Sequence, residues 1–268
     1  MSNKNLKHKY EKVYKDGKEG FFSRFEDGVD ISETDNAVWK AIDWSNKTVI
    51  DIGCGTGETA SGIAKLGAEL VVGVDYSENA IRLANSRHQE NNLEFKVNSF
   101  EDIVNDNINK YDVLLSCGTL EHMDNPAEVL KKMLEIIIND GMIVLTCPYF
   151  INLRGIVWMT LALGMNVPMS LTDKHFISPF DIRDWLLETD YKLLDTTYFD
   201  FDRANSQPVI IDMKKRLMNA FRDAELPNEG IPQLIDWLSK VVNEEQESLK
   251  SMNGSSALYI IGRKAIHD

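Results

Sequence analysis

A chain of 268 residues with 43% apolar content can bury a core of ordinary size, and its 42 acidic against 29 basic side chains leave a formal charge of −13. With no basic stripe to offset it, that charge excludes nucleic acid as the expected partner, and no apolar run is long enough to predict membrane insertion. Three cysteines without metal spacing, Cys54, Cys117 and Cys147, and a charged N-terminus without a secretory apolar stretch point to a soluble protein of a reducing cytoplasm.

Residues 1–45 read as a polar helical cap. Tyr10 and Tyr14 are spaced i, i+4 on its first helix, either as a packing stripe or as side chains closing over a ligand. The segment SETD, Ser32 to Asp35, has the form of a capping box for a helix carrying Val38, Trp39 and Ile42. From residue 46 to 150 strand-like and helical runs alternate: TVIDI, ETASGIAKL, ELVVGVD, SENAIRLANSR, LEFKVN, YDVLLSC, PAEVLKKMLEIII and MIVLTC. This rhythm predicts an α/β fold with a parallel sheet flanked by helices. Gly67 is placed just past one helix, Asn125 caps another with Pro126 at its first position, and Gly141 is expected to end that helix.

Residues 151–177 are apolar with interspersed Gly, Asn and Pro. They suit a lid over an active site, an interfacial helix or a contact in a homodimer, and the preferred reading is a lid with an apolar inner face. Arg154 is their only basic residue before Lys174, which disfavours an anionic membrane surface. In residues 178–268 Ser178 caps a helix that starts at Pro179, KLLDTTYFDFD forms a sixth strand, and SSALYIIGRKA a closing one. Two helical pieces over 206–253 form an insertion between those strands.

The stretch DIGCGTG carries the chemistry. Gly53, Gly55 and Gly57 allow positive φ and leave no Cβ in the way of a ligand on the backbone. The third glycine comes one residue earlier than in a dinucleotide fingerprint. Asp75, at the carboxyl end of ELVVGVD, sits where an acid accepts hydrogen bonds from both hydroxyls of a ribose, and Tyr76 beside it can pack on adenine.

The pattern acid-x-G-x-G-x-G resembles motif I of the class I S-adenosylmethionine-dependent methyltransferases. The resemblance implies S-adenosyl-L-methionine as cofactor, cradled by Gly53, Cys54, Gly55 and Gly57, with Asp51 reaching the ammonium end of its amino-acid tail. It also implies a Rossmann-like seven-stranded sheet, mostly parallel with an antiparallel last strand. Where that family commonly reads Asp-Ala-Glu-Asp against adenine, this chain has Ser99 and Phe100 before Glu101 and Asp102, and Phe100 is either an adenine contact or a core residue.

The segment SCGTLEHMDNP is similar to one in methyltransferases related to the ubiquinone-biosynthesis O-methyltransferases. On that likeness Cys117 and Gly118 line the methionine part of the cofactor and His122 faces the reacting centre. A few relatives hold a divalent cation with two glutamates and this histidine; here Gly118 replaces the first glutamate, and Glu121 with His122 leaves a hard cation short of oxygen ligands, so no metal is expected. The plain role for Glu121 is bonding to neighbouring loops. KHFISPFDIRDWLL resembles a His-aromatic-x-Ser-Pro signature of the same enzymes and makes His175 a candidate for substrate contact.

These features predict methyl transfer to a small molecule, through a hydroxyl of a sugar, a surface-glycan precursor or a natural product. His122, Tyr10, Tyr14, Tyr149 and His175 are the groups to inspect as bases. A cofactor-binding protein without catalysis is one alternative. A methyltransferase of protein or RNA is another, although neither an N-P-P-Y-type loop nor a basic face is present.

Overall fold

The computed structural model describes residues 32–106, 110–167 and 175–264, so Tyr10, Tyr14 and residues 168–174 of the expected lid lie outside the described residues. Seven strands form one sheet: β1 (Thr48–Ile52), β2 (Leu70–Asp75), β3 (Leu93–Val97), β4 (Tyr111–Cys117), β5 (Ile137–Pro148), β6 (Tyr191–Phe199) and β7 (Ser256–Arg263). Their order is β3-β2-β1-β4-β5-β7-β6. The pairs from β3 through to β5 are all parallel. β7 runs the other way: Tyr149 N–H, just past β5, donates to Ser255 O just before β7, and Lys264 N–H, just past β7, donates to Asp190 O just before β6.

By its contacts the chain divides into two compact units. The first takes the chain up to Cys147, Pro179–Thr196 and the stretch from Leu258 onward. Its β1, β2 and β4 are near-continuous runs of buried Val, Ile and Leu, as strands covered on both faces must be. Its helices are α1 (Glu33–Trp39), α2 (Glu58–Lys65), α3 (Glu78–Arg87), α4 (Phe100–Asp106), α5 (Pro126–Ile136) and, later in the chain, α7 (Pro179–Leu186). The caps expected at Ser32 and Asn125 form, accepting from Asp35 N–H and Glu128 N–H, and Ser77 likewise accepts from Ala80 N–H. α1 docks on α2 through Trp39, whose indole donates to Thr59 O at 3.1 Å and occupies the space that a side chain at Gly62 would need.

The second unit comprises Pro148–Ser178 and Thr197–Ala257. It contains α6 (Leu153–Met165), α8 (Phe201–Asn205), α9 (Gln207–Asp223), α10 (Ile231–Glu244) and α11 (Gln246–Leu249). Trp158 and Leu161 of α6, Val209, Met213 and Leu217 of α9, and Ile235 and Leu238 of α10 share one buried cluster. The described part of the stretch expected to form a lid packs Trp158 and Leu161 into one cluster with the 206–253 insertion. Its apolar character serves that core: Trp158 is only 1% exposed.

A second difference lies at Gly141. α5 ends at Ile136 and β5 begins at once, because Ile137 pairs with Tyr111 while Met142 pairs with Val113, leaving a bulge between them. A Cβ at Gly141 would stand 2.8–3.0 Å from Ile137 Cβ, Ile138 O and Asp112 O, so the glycine serves the bulge and not a helix end. Among the described residues no helix is long and apolar enough to cross a membrane.

Candidate active site

Strand order reverses between β1 and β4, with β2 and β3 on one side and β5 on the other. In an open parallel sheet the crevice outside the carboxyl ends of the strands at such a point is where a ligand binds. The glycine-rich turn from β1 into α2 lies there, with Gly53, Gly55 and Gly57 at φ of 77°, 54° and 87°. A side chain at Gly53 would collide with Thr119 of the loop after β4, and one at Gly57 with the Phe95 ring of β3. Backbone alone fits these positions.

Asp75 stitches the turn to the end of β2. Its Oδ2 accepts Gly55 N–H at 3.1 Å and its Oδ1 accepts Ser77 N–H at 2.8 Å. Asp51, 2% exposed, lies inside β1, and Glu58 opens α2, where it accepts from Thr56 Oγ1 at 2.6 Å. Burial pushes the Cys54 thiol well up, and the charges of Asp51, Asp75 and Glu58 add to it. The turn thus sits in a negative field, which suits a ligand with an ammonium and a sulfonium and opposes a pyrophosphate.

Tyr76 follows Asp75 and is half-buried. Ser99 is occupied as the cap of α4: its hydroxyl donates to Asp102 Oδ2 at 2.7 Å and accepts from Asp102 N–H at 3.2 Å. Phe100 is half-buried on the first turn of α4. Cys117 ends β4, and Gly118, exposed at φ 59°, donates its N–H to Thr146 O at 2.9 Å. A Cβ there would meet only Glu121 Oε1, at 3.7 Å, so the backbone at Gly118 is open to a ligand. Glu121 is buried at 2% exposure, while His122 is half-buried at the end of the 3-10 turn Leu120–His122. Among the described residues no group of three or more His, Cys, Asp or Glu is placed to hold a metal ion.

Tyr149 and His175 belong to the second unit. Tyr149 is 4% exposed and its ring lies 4.5 Å from that of Tyr198. Burial and the hydrogen bond with Tyr198 hold its phenol far above the usual range. His175 is half-buried, with Nε2 enclosed and without a hydrogen-bond partner among the described residues, next to Phe176, whose ring meets Phe150 edge-on at 5.0 Å. Tyr14 lies outside the described residues.

Two residues of this region carry no sequence signal. Thr119 packs against Gly53, and its hydroxyl donates to Cys117 O at 3.1 Å. His88, at the end of α3, places Nε2 3.1 Å from Thr56 O. Thirty-two positions separate that pair, so no local pattern announces it.

Residues 43–176 match a family described as a methyltransferase domain. A ubiquinone biosynthesis O-methyltransferase of Glaesserella parasuis serovar 5 is 24% identical over 168 residues, which are 58% of this chain and 70% of that protein. The fold is similar to that of a solved complex between the Haloferax volcanii Trm112 methyltransferase activator and a methyltransferase, at TM-score 0.62 and 13% identity, covering 96% of this chain and 98% of that one. It is also similar to that of the magnesium protoporphyrin IX methyltransferase of Synechocystis with bound S-adenosylhomocysteine, at TM-score 0.50 and 21% identity over 62% of this chain and 76% of that one. With the family match spanning half of the chain, and the glycine turn, Asp75 and the Gly118 loop at its strand ends, the chain belongs to the class I S-adenosylmethionine-dependent methyltransferases and takes S-adenosylmethionine as its cofactor.

Proposed function

We propose that this protein methylates a hydroxyl of a small molecule, such as a sugar, a surface-glycan precursor or a natural product, in the cytoplasm. The observation that supports this reading is the place of His122: half-exposed on the turn after β4, the strand beside β1 with its glycine turn, and four residues beyond the open backbone of Gly118. Bound S-adenosylmethionine supplies a methyl group on a positively charged sulfur.

The chain's own residues bind, orient and move a proton. Gly53, Gly55 and Gly57 offer bare backbone to the amino-acid tail, Asp51 lends its charge to the ammonium end, and Asp75 accepts the ribose hydroxyls. His122 takes the proton that the acceptor hydroxyl loses as the new O–C bond forms, a task that suits imidazole near neutral pH. Sulfur loses its positive charge as the methyl leaves, so the gain comes from alignment in a site closed to water and not from an anion hole. A carboxylate-lined turn serves the cofactor's cations in the ground state.

The test offers methyl-labelled S-adenosylmethionine with hydroxylated small molecules, and separately with protein and RNA fractions. Label in the small-molecule products supports the proposal. Label confined to protein or RNA overturns it, and cofactor binding without any transfer favours a non-catalytic role.

A further inference from the structure

We propose that His88 is a positioning residue for the cofactor, holding the glycine-rich turn in its binding shape through the carbonyl of Thr56. The backbone N–H groups of Gly53, Cys54, Gly55 and Gly57 are held by the turn itself or by the end of β2. Gly53 N–H and Cys54 N–H both donate to Val74 O, at 2.8 and 3.0 Å, and Gly57 N–H donates back to Cys54 O at 3.0 Å. Gly55 N–H is held by Asp75. The Thr56 carbonyl instead reaches out to the imidazole of His88, at 3.1 Å.

His88 is well placed to hold it. It is the C-cap residue just past α3, in extended conformation, with its N–H on Ala84 O at 3.0 Å. Its ring lies 6.1 Å from that of Phe95, the same ring that fills the space beside Gly57 and Gly73. A carbonyl oxygen only accepts, so Nε2 carries the proton in this contact. Next to it Arg87 meets Glu58 at 3.2 Å, and Glu58 in turn accepts the Thr56 hydroxyl. The end of α3 therefore grips both the Thr56 peptide and the first residue of α2.

A turn with three glycines at positive φ has many conformations to lose, and any part left unordered must be ordered when the cofactor binds. His88 removes part of that cost in advance. Its loss lowers cofactor affinity without touching any group that meets the cofactor or the acceptor, and the inference does not depend on which acceptor is methylated.

The experiment is calorimetric titration of S-adenosylhomocysteine into the full chain and into His88→Ala, His88→Gln and His88→Asn, with melting temperatures measured alongside. Glutamine places an amide N–H at about the reach of Nε2, and asparagine falls short of it. The expected result is about a 3- to 10-fold rise in Kd for the alanine and asparagine variants, the worth of one net hydrogen bond, and a Kd within about twofold of the parent for glutamine. Unchanged affinity in all three variants overturns the proposal. So does a glutamine variant that binds as weakly as alanine and melts as low, since that pattern means the ring only packs on Phe95. If the alanine variant fails to fold, the glutamine and asparagine pair decides the question alone.

Discussion

The two units are held together by different kinds of information. In the first, each strand is followed by its turn and helix, and most of the punctuation is local: Ser77 caps α3 within three residues, Asn125 caps α5 likewise, and Gly67 closes α2 at φ 91°. In the second, the fixing contacts join distant chain. Asn152, fully buried, donates to Tyr149 O and to Gly254 O, 102 positions away, and accepts Gly155 N–H. Asn205 accepts Leu153 N–H and donates to Asn253 O, and Arg154 pairs with Asp212 of α9 at 3.1 Å. The first unit can be assembled from a string of short-range rules. The second depends on a few buried amides that bring 148–178 and 197–257 together, and such pins are strong where they are satisfied and costly where broken.

If the chemistry belongs to the first unit and the second is built for packing, substitutions should separate them. The largest effect is expected at His122: His122→Ala should lower kcat by roughly 10²–10⁴-fold with cofactor affinity nearly unchanged, by initial rates and calorimetry. A comparable loss of kcat in Tyr149→Phe would break the comparison, because it would return catalysis to the second unit.

Next comes Gly254→Ala. A side chain there would run into the Phe199 backbone, a neighbour that cannot turn aside, and should cost about 3 kcal/mol, read as a fall in melting temperature. S-adenosylhomocysteine binding measured below that melt should persist. Loss of binding in a folded variant would show that the units are coupled in function.

A smaller effect is expected from Asp75→Ala, which removes charge-assisted bonds to the ligand and the acceptor for Gly55 N–H. It should weaken cofactor binding by roughly 1–3 kcal/mol in calorimetry. Unchanged affinity would remove Asp75 from the site.

The smallest is a pH effect in the first unit. Burial raises the Asp112 carboxyl, but hydrogen bonds from Thr48 N–H and hydroxyl, aided by Lys47, outweigh it and hold the group below its usual value. Its stabilisation is therefore present above the unfolded value of about 3.9 and is lost as pH falls through the lower folded value. Asp112→Asn should flatten the fall of melting temperature below about pH 4 relative to the parent. An acid limb with the parent's slope would show that Asp112 is not among the groups that set it.

Much of the first unit was legible because its signals are short-range. Apolar runs of five to seven residues between glycines and caps read as buried strands, and DIGCGTG read as a glycine turn between the first strand and its helix, with Asp75 at the next strand end. What the sequence did not show rests on non-local contacts. Gly141 answers to Asp112 O across the bulge. Tyr149 is claimed by Tyr198, a partner forty-nine positions on that no window around residue 149 could reveal.

By itself, then, the sequence determined the strand and helix rhythm of residues 46–150, the glycine turn and the acid at β2, because backbone conformation and burial period act within a few residues. Only the tertiary structure decided that α6 shares its buried cluster with α9 and α10, that His88 grips Thr56, and that Tyr149 packs on Tyr198. Each of those depends on which distant side chain fills the space, and that is a matter of packing rather than of local chain preference.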